Sequence, residues 1–288
     1  MSDRWQLSVF ADEIDPSLEA QIQALHDNEV GHIEFRSAWG KNVLDLDQEE
    51  LDRAARLLKD GGIRVSAIGS PLGKAPIDGD FAEEQDRLRR ALHAAEVLET
   101  PMIRIFSFYV EGRYEERRDE VVRRLAAMTE EAERAGNVLV HENESYIFGD
   151  LPERCRDILA SVDSPHLRAA FDPANFVQCG VQPMRDAWPP LEPYVTHVHI
   201  KDAVPVDRTD QEPYPARVPE YLLMPTVRPA GQGEGQLGEL LSKLAANGYD
   251  GILTIEPHLA FHLPDLDGAG RFRVAVEALR ELLAKVPA

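Results

Sequence analysis

Short apolar segments alternate with longer amphipathic segments along the chain. Eight short apolar segments lie at 7–12, 32–36, 64–70, 102–108, 138–144, 167–173, 196–202 and 252–258. Segments between them, such as 47–62 and 119–136, place apolar residues at i, i+3, i+4 and i+7, the spacing of one helix face. Paired GG or AG residues follow these helical patterns, where helix C-caps are expected. The pattern predicts eight strands, each followed by a helical stretch, with a last helix over 271–286.

Eight strand–helix pairs within 288 residues predict an α/β fold, a (β/α)8 barrel. A doubly wound open sheet is the alternative, but such sheets usually have fewer strands, and no GxGxxG follows the first strand here. No break in composition divides the chain, so we expect one domain over 1–288. A Pro- and Gly-rich insertion, 203–235, follows strand seven. We expect it to lie over the C-terminal mouth of the barrel as a lid or an oligomer contact.

The balance of charges restricts the partners. The chain has 31 Lys and Arg against 51 Asp and Glu, a formal net charge of -20, which argues against nucleic acid and anionic membranes. Two cysteines do not make a disulfide framework. The N-terminal residues contain no apolar signal-peptide core, and no stretch approaches the roughly 20 apolar residues of a membrane span. We therefore expect a soluble cytoplasmic protein that acts on a small molecule.

Four consecutive predicted strands end in side chains that bind hard metals. Strand five ends at Glu142, strand six at Asp172 and strand eight at Glu256. Strand seven carries His197 and His199, which point to the same face because they are two residues apart. A single such residue is more often a solvated carboxylate or a core histidine, but in a barrel these four strand ends converge. Carboxylates with an imidazole predict one divalent metal ion, Mn, Mg, Zn or Co.

The sequences LVHENE, FDPANF, HVHIKD and TIEPH, in this order, resemble the xylose isomerase-like superfamily of TIM barrels. That superfamily includes the sugar phosphate isomerase/epimerase proteins and the ketose 3-epimerases. GSPLGK, IRIFSFY and the FGD that follows HENE are also similar to this branch. The resemblance covers nearly the whole chain and specifies the superfamily better than the substrate.

The resemblance implies four metal ligands: Glu142, Asp172, His199 and Glu256. In ketose epimerases the second His of the HxH pair is the ligand, which selects His199 over His197. His197 would then hydrogen-bond substrate or a group behind the ligands, or pack inside the barrel. The sequence departs from relatives at Asn175, where many carry His, and at Phe148, where ketose epimerases carry Glu.

The implied chemistry is removal of a proton next to a carbonyl group. The metal, acting as a Lewis acid, would stabilise an enediolate of an open-chain sugar or sugar phosphate. Glu142 and Glu256 would be the catalytic pair, one taking the α-proton and the other returning it from the opposite face. Epimerisation and isomerisation both remain open, because they differ only in the carbon that receives the proton.

Six further polar side chains are expected at the mouth to bind substrate hydroxyls or a phosphate: Arg36, Lys74, Arg104, Asn175, His197 and Lys201. Glu34 accompanies Arg36 at the end of strand two, and we expect Asp12 and Glu13 to cap the first helix. The GQGEG run at 231–235 is either a phosphate-cradling loop or a flexible turn that enters a helix. Barrels of this type often pair, and 221–227 is a candidate contact for a homodimer.

Three alternative functions are compatible with the same barrel scaffold. One is a metal-dependent dehydratase of a cyclic polyol or a dehydroshikimate-type substrate, and another is a non-catalytic sugar-binding barrel. The third, an endonuclease IV-like nuclease, is disfavoured by the net charge of -20 and by a total of only nine histidines.

Overall fold

The computed structural model describes residues 4–206 and 223–287. Eight parallel strands form its central sheet: β1 Gln6–Val9, β2 His32–Phe35, β3 Arg64–Ile68, β4 Met102–Ile105, β5 Val138–Glu142, β6 Leu167–Phe171, β7 Val195–Ile200 and β8 Ile252–Ile255. The strand order is β1-β8-β7-β6-β5-β4-β3-β2, and β1 also contacts β2, so the sheet is a nearly closed barrel. The predicted (β/α)8 barrel and all eight predicted strands are confirmed.

The helices surround this barrel in chain order: α1 Leu18–Asp27, α2 Gln48–Asp60, α3 Phe81–Val97, α4 Tyr114–Ala135, α5 Pro152–Val162, α6 Pro173–Gln178, α7 Trp188–Leu191, α8 Leu237–Ala246 and α9 Gly268–Leu283. Their ends follow local chemistry. Asp47 and Glu50 form a capping box at the start of α2, and Gly136, with φ +78°, caps the end of α4. Among the described residues, no helix has both the length and the apolar character needed to cross a membrane.

Strand β7 shows why polar groups collect inside the barrel. Val198 and Ile200 are buried and belong to the large apolar core, whereas His197 and His199 alternate with them on the other face of the strand. Strands β1 and β3 also carry buried polar side chains, with Ser8 Oγ lying 2.7 Å from Ser66 Oγ. The apolar faces pack against the helices, so the polar faces are left to line the interior and its mouth.

Part of the predicted insertion is described. Asp202–Ala203 pairs antiparallel with Val227–Arg228, while residues 207–222 lie outside the described residues. Leu223 and Val227 are buried within the protein itself. The described part of 221–227 therefore packs mainly against its own chain, and the roles of the insertion as a lid or a dimer contact stay predictions.

The GQGEG run binds a carboxylate of its own chain. Asp202 accepts hydrogen bonds from the backbone N–H groups of Gly231, Gly233 and Gly235, at 2.8, 3.0 and 2.8 Å. The run then leads through Gln236 into α8. Since Asp202 takes these donors, the structure supports the turn and not the phosphate cradle.

Candidate metal centre at the mouth of the barrel

The four predicted ligands come together at the C-terminal ends of β5 to β8. One potential ligand atom from each of Glu142, Asp172, His199 and Glu256 lies within 4.8 Å of the others. All four side chains are buried. The strand ends thus bring together residues up to 114 positions apart (142 to 256) in one compact polar cluster.

Two atoms of this cluster lack hydrogen bonds among the described residues. Oδ2 of Asp172 and Nδ1 of His199 are both buried, and neither has a partner with hydrogen-bond geometry. Their close neighbours are charged groups: Lys201 Nζ lies 2.7 Å from Asp172 Oδ2, and Glu142 Oε1 lies 3.3 Å from His199 Nδ1. A divalent ion bound among these atoms would give both of them a partner in good geometry. Three carboxylates and one imidazole fit such an ion.

Lys201 provides the positive charge inside the cluster. Its ammonium group lies 2.7 Å from both Asp172 Oδ2 and Glu256 Oε2. The side chain is only 5% exposed, so these ion pairs are shielded from solvent. Burial lowers the pKa of Lys201, but Asp172 and Glu256 raise it more, and the pKa ends well above its usual range. Lys201 is therefore a permanent cation beside two candidate ligands.

The carboxylates have different proton affinities. Burial raises the pKa of Asp172, and with Lys201 opposing and Glu142 and Glu256 adding to it, the pKa reaches about 7. Burial also acts to raise the pKa of Glu142, yet His199 and Arg104 bring it down to about 2. For Glu256, Lys201 and His258 outweigh burial and hold the pKa well below its usual range. Glu142 and Glu256 are thus ionised near neutral pH, as a general base must be.

Glu142 is held from two sides. Arg104 Nη1 donates to Glu142 Oε2 at 3.1 Å, and Asn175 Nδ2 donates to Glu142 Oε1 at 3.1 Å. Asn175 also donates to the backbone oxygen of Asn143 at 2.9 Å. The departure from His at position 175 therefore gives a neutral donor that fixes a candidate ligand.

Asp172 is placed by its position between β6 and α6. Its Oδ1 accepts a hydrogen bond from the Asn175 N–H at 2.9 Å and so caps α6. Asn143 binds the Asp172 backbone on both sides, accepting its N–H at 3.0 Å and donating to its carbonyl oxygen at 2.9 Å. With Oδ1 used by the cap, Oδ2 is directed to the cluster.

The side chain of Glu34 lies deeper in the barrel than the sequence suggested. Its Oε2 lies 2.7 Å from His197 Nε2 and 3.2 Å from His199 Nε2, and all three side chains are fully buried. His197 also lies 3.3 Å from Thr254 Oγ1. None of these groups lines the mouth cavity, so the predicted substrate contact of His197 has no support in this arrangement.

A second polar group surrounds Glu256. Arg36 contacts Asp12, Glu13 and Glu256 at 2.8, 3.2 and 3.4 Å. His258 lies 3.0 Å from Glu256 Oε1 and 3.2 Å from Glu13 Oε1.

The sequence interpretation missed this group, although TIEPH includes His258. It was also wrong about Asp12 and Glu13, because the cap of α1 is Ser17, which accepts the Ala20 N–H. The carboxylates of Asp12 and Glu13 instead form ion pairs with Arg36.

A cavity of about 380 Å³ opens above the cluster. Five of the six predicted substrate-binding residues line it: Arg36, Lys74, Arg104, Asn175 and Lys201. Lys74 lies at its rim, 3.2 Å from Glu144 and 34% exposed. The cavity is large enough for a small polyol, and two residues of the candidate metal cluster, Glu142 and Glu256, line it.

Comparisons with known proteins agree with this architecture. A family model described as xylose isomerase-like TIM barrel matches residues 22–282. No curated protein matches the sequence. A probable 3-DHS dehydratase, AsbF from Bacillus anthracis, is 18% identical with a TM-score of 0.74, covering 96% of this chain and 98% of its own.

Two further solved structures have the same architecture. An IolI protein with a bound zinc atom is 15% identical with a TM-score of 0.74, covering 98% of this chain and 100% of its own. A D-tagatose 3-epimerase-like protein is 18% identical with a TM-score of 0.70, covering 98% and 99%. At these identities the likeness shows the fold.

Proposed function

The chain belongs to the xylose isomerase-like TIM barrel family, and from this premise we propose that it is a divalent-metal-dependent sugar isomerase or epimerase. The observation that carries the proposal is the buried cluster of Glu142, Asp172, His199 and Glu256, two members of which, Glu142 and Glu256, line the mouth cavity. The relatives named as an epimerase-like protein and as a zinc-binding protein support the same chemistry.

The four cluster residues would hold one Mn, Mg, Zn or Co ion. A bound divalent ion would supply a Lewis acid beside the carbonyl group of the substrate. His199 Nδ1 and Asp172 Oδ2 are buried and have no partner with hydrogen-bond geometry among the described residues, although Lys201 lies 2.7 Å from Asp172 Oδ2. Both atoms are therefore candidate ligand atoms for a divalent ion.

Glu142 and Glu256 are the proposed catalytic residues. Both line the cavity, Glu142 at the end of β5 and Glu256 directly after β8. One takes the proton from the carbon next to the carbonyl, and the other delivers a proton to that carbon or to its neighbour. The pKa of about 2 for Glu142 and the lowered pKa of Glu256 keep both carboxylates charged at neutral pH. A carboxylate with so low a pKa binds a proton weakly. A neighbouring group must therefore stabilise the protonated carboxylate during the reaction.

The remaining cavity residues position the substrate. Arg104 and Asn175 both donate hydrogen bonds to Glu142 and line the cavity, while Lys201 lies next to Glu256. Lys74 at the rim is the described cation best placed to contact the far end of a bound sugar. These groups donate hydrogen bonds, which suits the hydroxyl groups of a polyol.

The test is exchange of carbon-bound protons with solvent. The metal-loaded protein is incubated in D2O with ketoses, aldoses and their phosphates, and loss of C–H signals is followed by NMR. We expect one C–H signal to disappear when metal is bound. The same signal should persist after chelation and in the Glu142→Gln variant. New olefinic signals and ultraviolet absorbance would instead indicate the dehydratase. Binding of a sugar with no exchange, at full metal occupancy, would contradict catalysis.

A further inference from the structure

Glu34 is a buried carboxylate that the proposed chemistry does not use. It lies in β2, its side chain is fully buried, and it does not reach the mouth cavity. Desolvating an ionised carboxylate is costly unless charged or hydrogen-bonding partners compensate. Its Oε2 has two such partners, the Nε2 atoms of His197 and His199. Glu34 is therefore placed to act through these imidazoles and not on a substrate.

The two nitrogens of His199 face different groups. Nε2 lies 3.2 Å from Glu34 Oε2, on the side away from the cavity. Nδ1 lies 3.3 Å from Glu142 Oε1 and 4.0 Å from Asp172 Oδ2, on the side of the candidate metal ligands. A neutral imidazole, the form that binds a metal, presents a lone pair on one nitrogen when the other donates its N–H. A carboxylate behind Nε2 therefore leaves Nδ1 to bind a cation.

His197 holds Glu34 in this position. The distance from His197 Nε2 to Glu34 Oε2 is 2.7 Å, shorter than the 3.2 Å contact to His199. The ring of His197 lies edge-on to that of His199, at 5.2 Å between centroids. Phe10 contacts His199 in the same edge-on manner, at 5.3 Å. The ring of His199 is thus restrained both by the carboxylate and by packing.

We propose that Glu34 is a positioning residue that fixes the orientation and tautomer of His199, and that His197 holds the Glu34 carboxylate in place. The inference rests on the proposed metal site. It assigns both histidines of the HxH pair: His199 as a ligand through Nδ1, and His197 as part of the buried support. Hydrogen bonds of this kind behind a ligand typically change metal affinity about 10- to 100-fold.

Zinc binding to the metal-free protein, measured by calorimetry, tests the proposal. We expect Glu34→Gln to bind zinc about 10- to 100-fold more weakly, because the amide cannot accept from both imidazoles with a full negative charge. The control is Glu84→Gln, the same change at a buried glutamate of α3 outside the cluster, which should keep the wild-type affinity. Wild-type affinity in Glu34→Gln would overturn the proposal and leave the metal site intact. Wild-type protein that binds no zinc would overturn both.

A second measurement does not require the Glu34 variant to fold. In zinc-loaded wild-type protein, long-range proton–nitrogen NMR spectra report which nitrogen of each imidazole is protonated. We expect His199 to have a protonated Nε2 and a zinc-bound Nδ1, with its signals assigned by comparison with His197→Gln. That variant should bind zinc more weakly than wild type but more tightly than Glu34→Gln, since the contact from Glu34 to His199 remains. Zinc bound to Nε2 would overturn the proposal.

Discussion

Lys201 is the residue whose charge most directly opposes a metal ion in the cluster. Its ammonium lies 2.7 Å from one oxygen each of Asp172 and Glu256. A divalent ion that binds these oxygens must displace or repel this cation, which is shielded from solvent. Metal binding would therefore release Lys201 toward the cavity and make it available to the substrate.

We expect Lys201→Met to bind zinc about tenfold more tightly than wild type, a change of about 1.4 kcal/mol, because the competing cation is gone. Isothermal titration of the metal-free proteins measures this. Lys74→Met is the matched control, since Lys74 forms its ion pair with Glu144, which is not a candidate ligand. It should show wild-type affinity. Equal or weaker zinc binding by Lys201→Met would mean that Lys201 supports the ligands and does not compete.

Glu142→Gln and Glu256→Gln address the catalytic pair. Each replacement keeps the shape of the side chain but removes a base, so turnover should fall about 10²- to 10⁴-fold. Proton exchange into substrate measures turnover, and circular dichroism checks that the barrel is folded. A double Gln variant with measurable turnover would contradict the proposed mechanism.

The sequence predicts which side chains meet at the ends of adjacent strands. It does not predict contacts that form across the barrel interior. The four candidate ligand positions were predicted from motifs at the ends of β5 to β8, and the structure brings these side chains together. The contacts of Glu34 with His197 and His199 join positions 163 and 165 residues apart, across the barrel interior. No local pattern encodes that approach, so Glu34 was grouped with Arg36 as a residue of the mouth.

At the level of elements, the turn between Gly231 and Gly235 shows how tertiary contacts decide among equal local patterns. A glycine-rich run with inward N–H groups suits any anion. In this protein the anion is the Asp202 carboxylate, which the same chain supplies directly after β7. Strands and helices were predicted well because their hydrophobic periods are local, whereas the occupant of this turn was not.

Gly233→Ala tests how closely this turn fits. A Cβ at Gly233 would lie 2.3 Å from Asp202 Oδ1 and 2.5 Å from the Ala203 carbonyl oxygen. We expect a loss of about 1–3 kcal/mol in the free energy of unfolding, measured by urea denaturation. Gly238→Ala, in α8 with open space around the added Cβ, should be neutral or slightly stabilising. Equal stability of the two variants would show that the turn adapts freely.

At the scale of the whole molecule, cations gather at the mouth of a strongly acidic protein. The net charge is -20, yet Arg36, Lys74, Arg104 and Lys201 all line one cavity. Each contacts at least one carboxylate within 3.4 Å, so positive and negative charges are closely interleaved there. Such a site suits a polar substrate that is read by hydrogen bonds, beside a metal held by acidic ligands.

Metal binding should also stabilise the entire barrel, because its candidate ligands come from four adjacent strand ends. A ligand that binds only the folded state adds about 2.7 kcal/mol to the free energy of unfolding at a concentration 100 times its dissociation constant. We expect the urea midpoint of wild-type protein to rise with zinc or manganese and to return after chelation. His199→Ala should lose most of this rise, since it removes one ligand from the cluster. A midpoint that does not respond to any of the four metals would show that Lys201, Arg36 and Arg104 are sufficient to neutralise the acidic cluster, and it would contradict the proposed metal-dependent reaction.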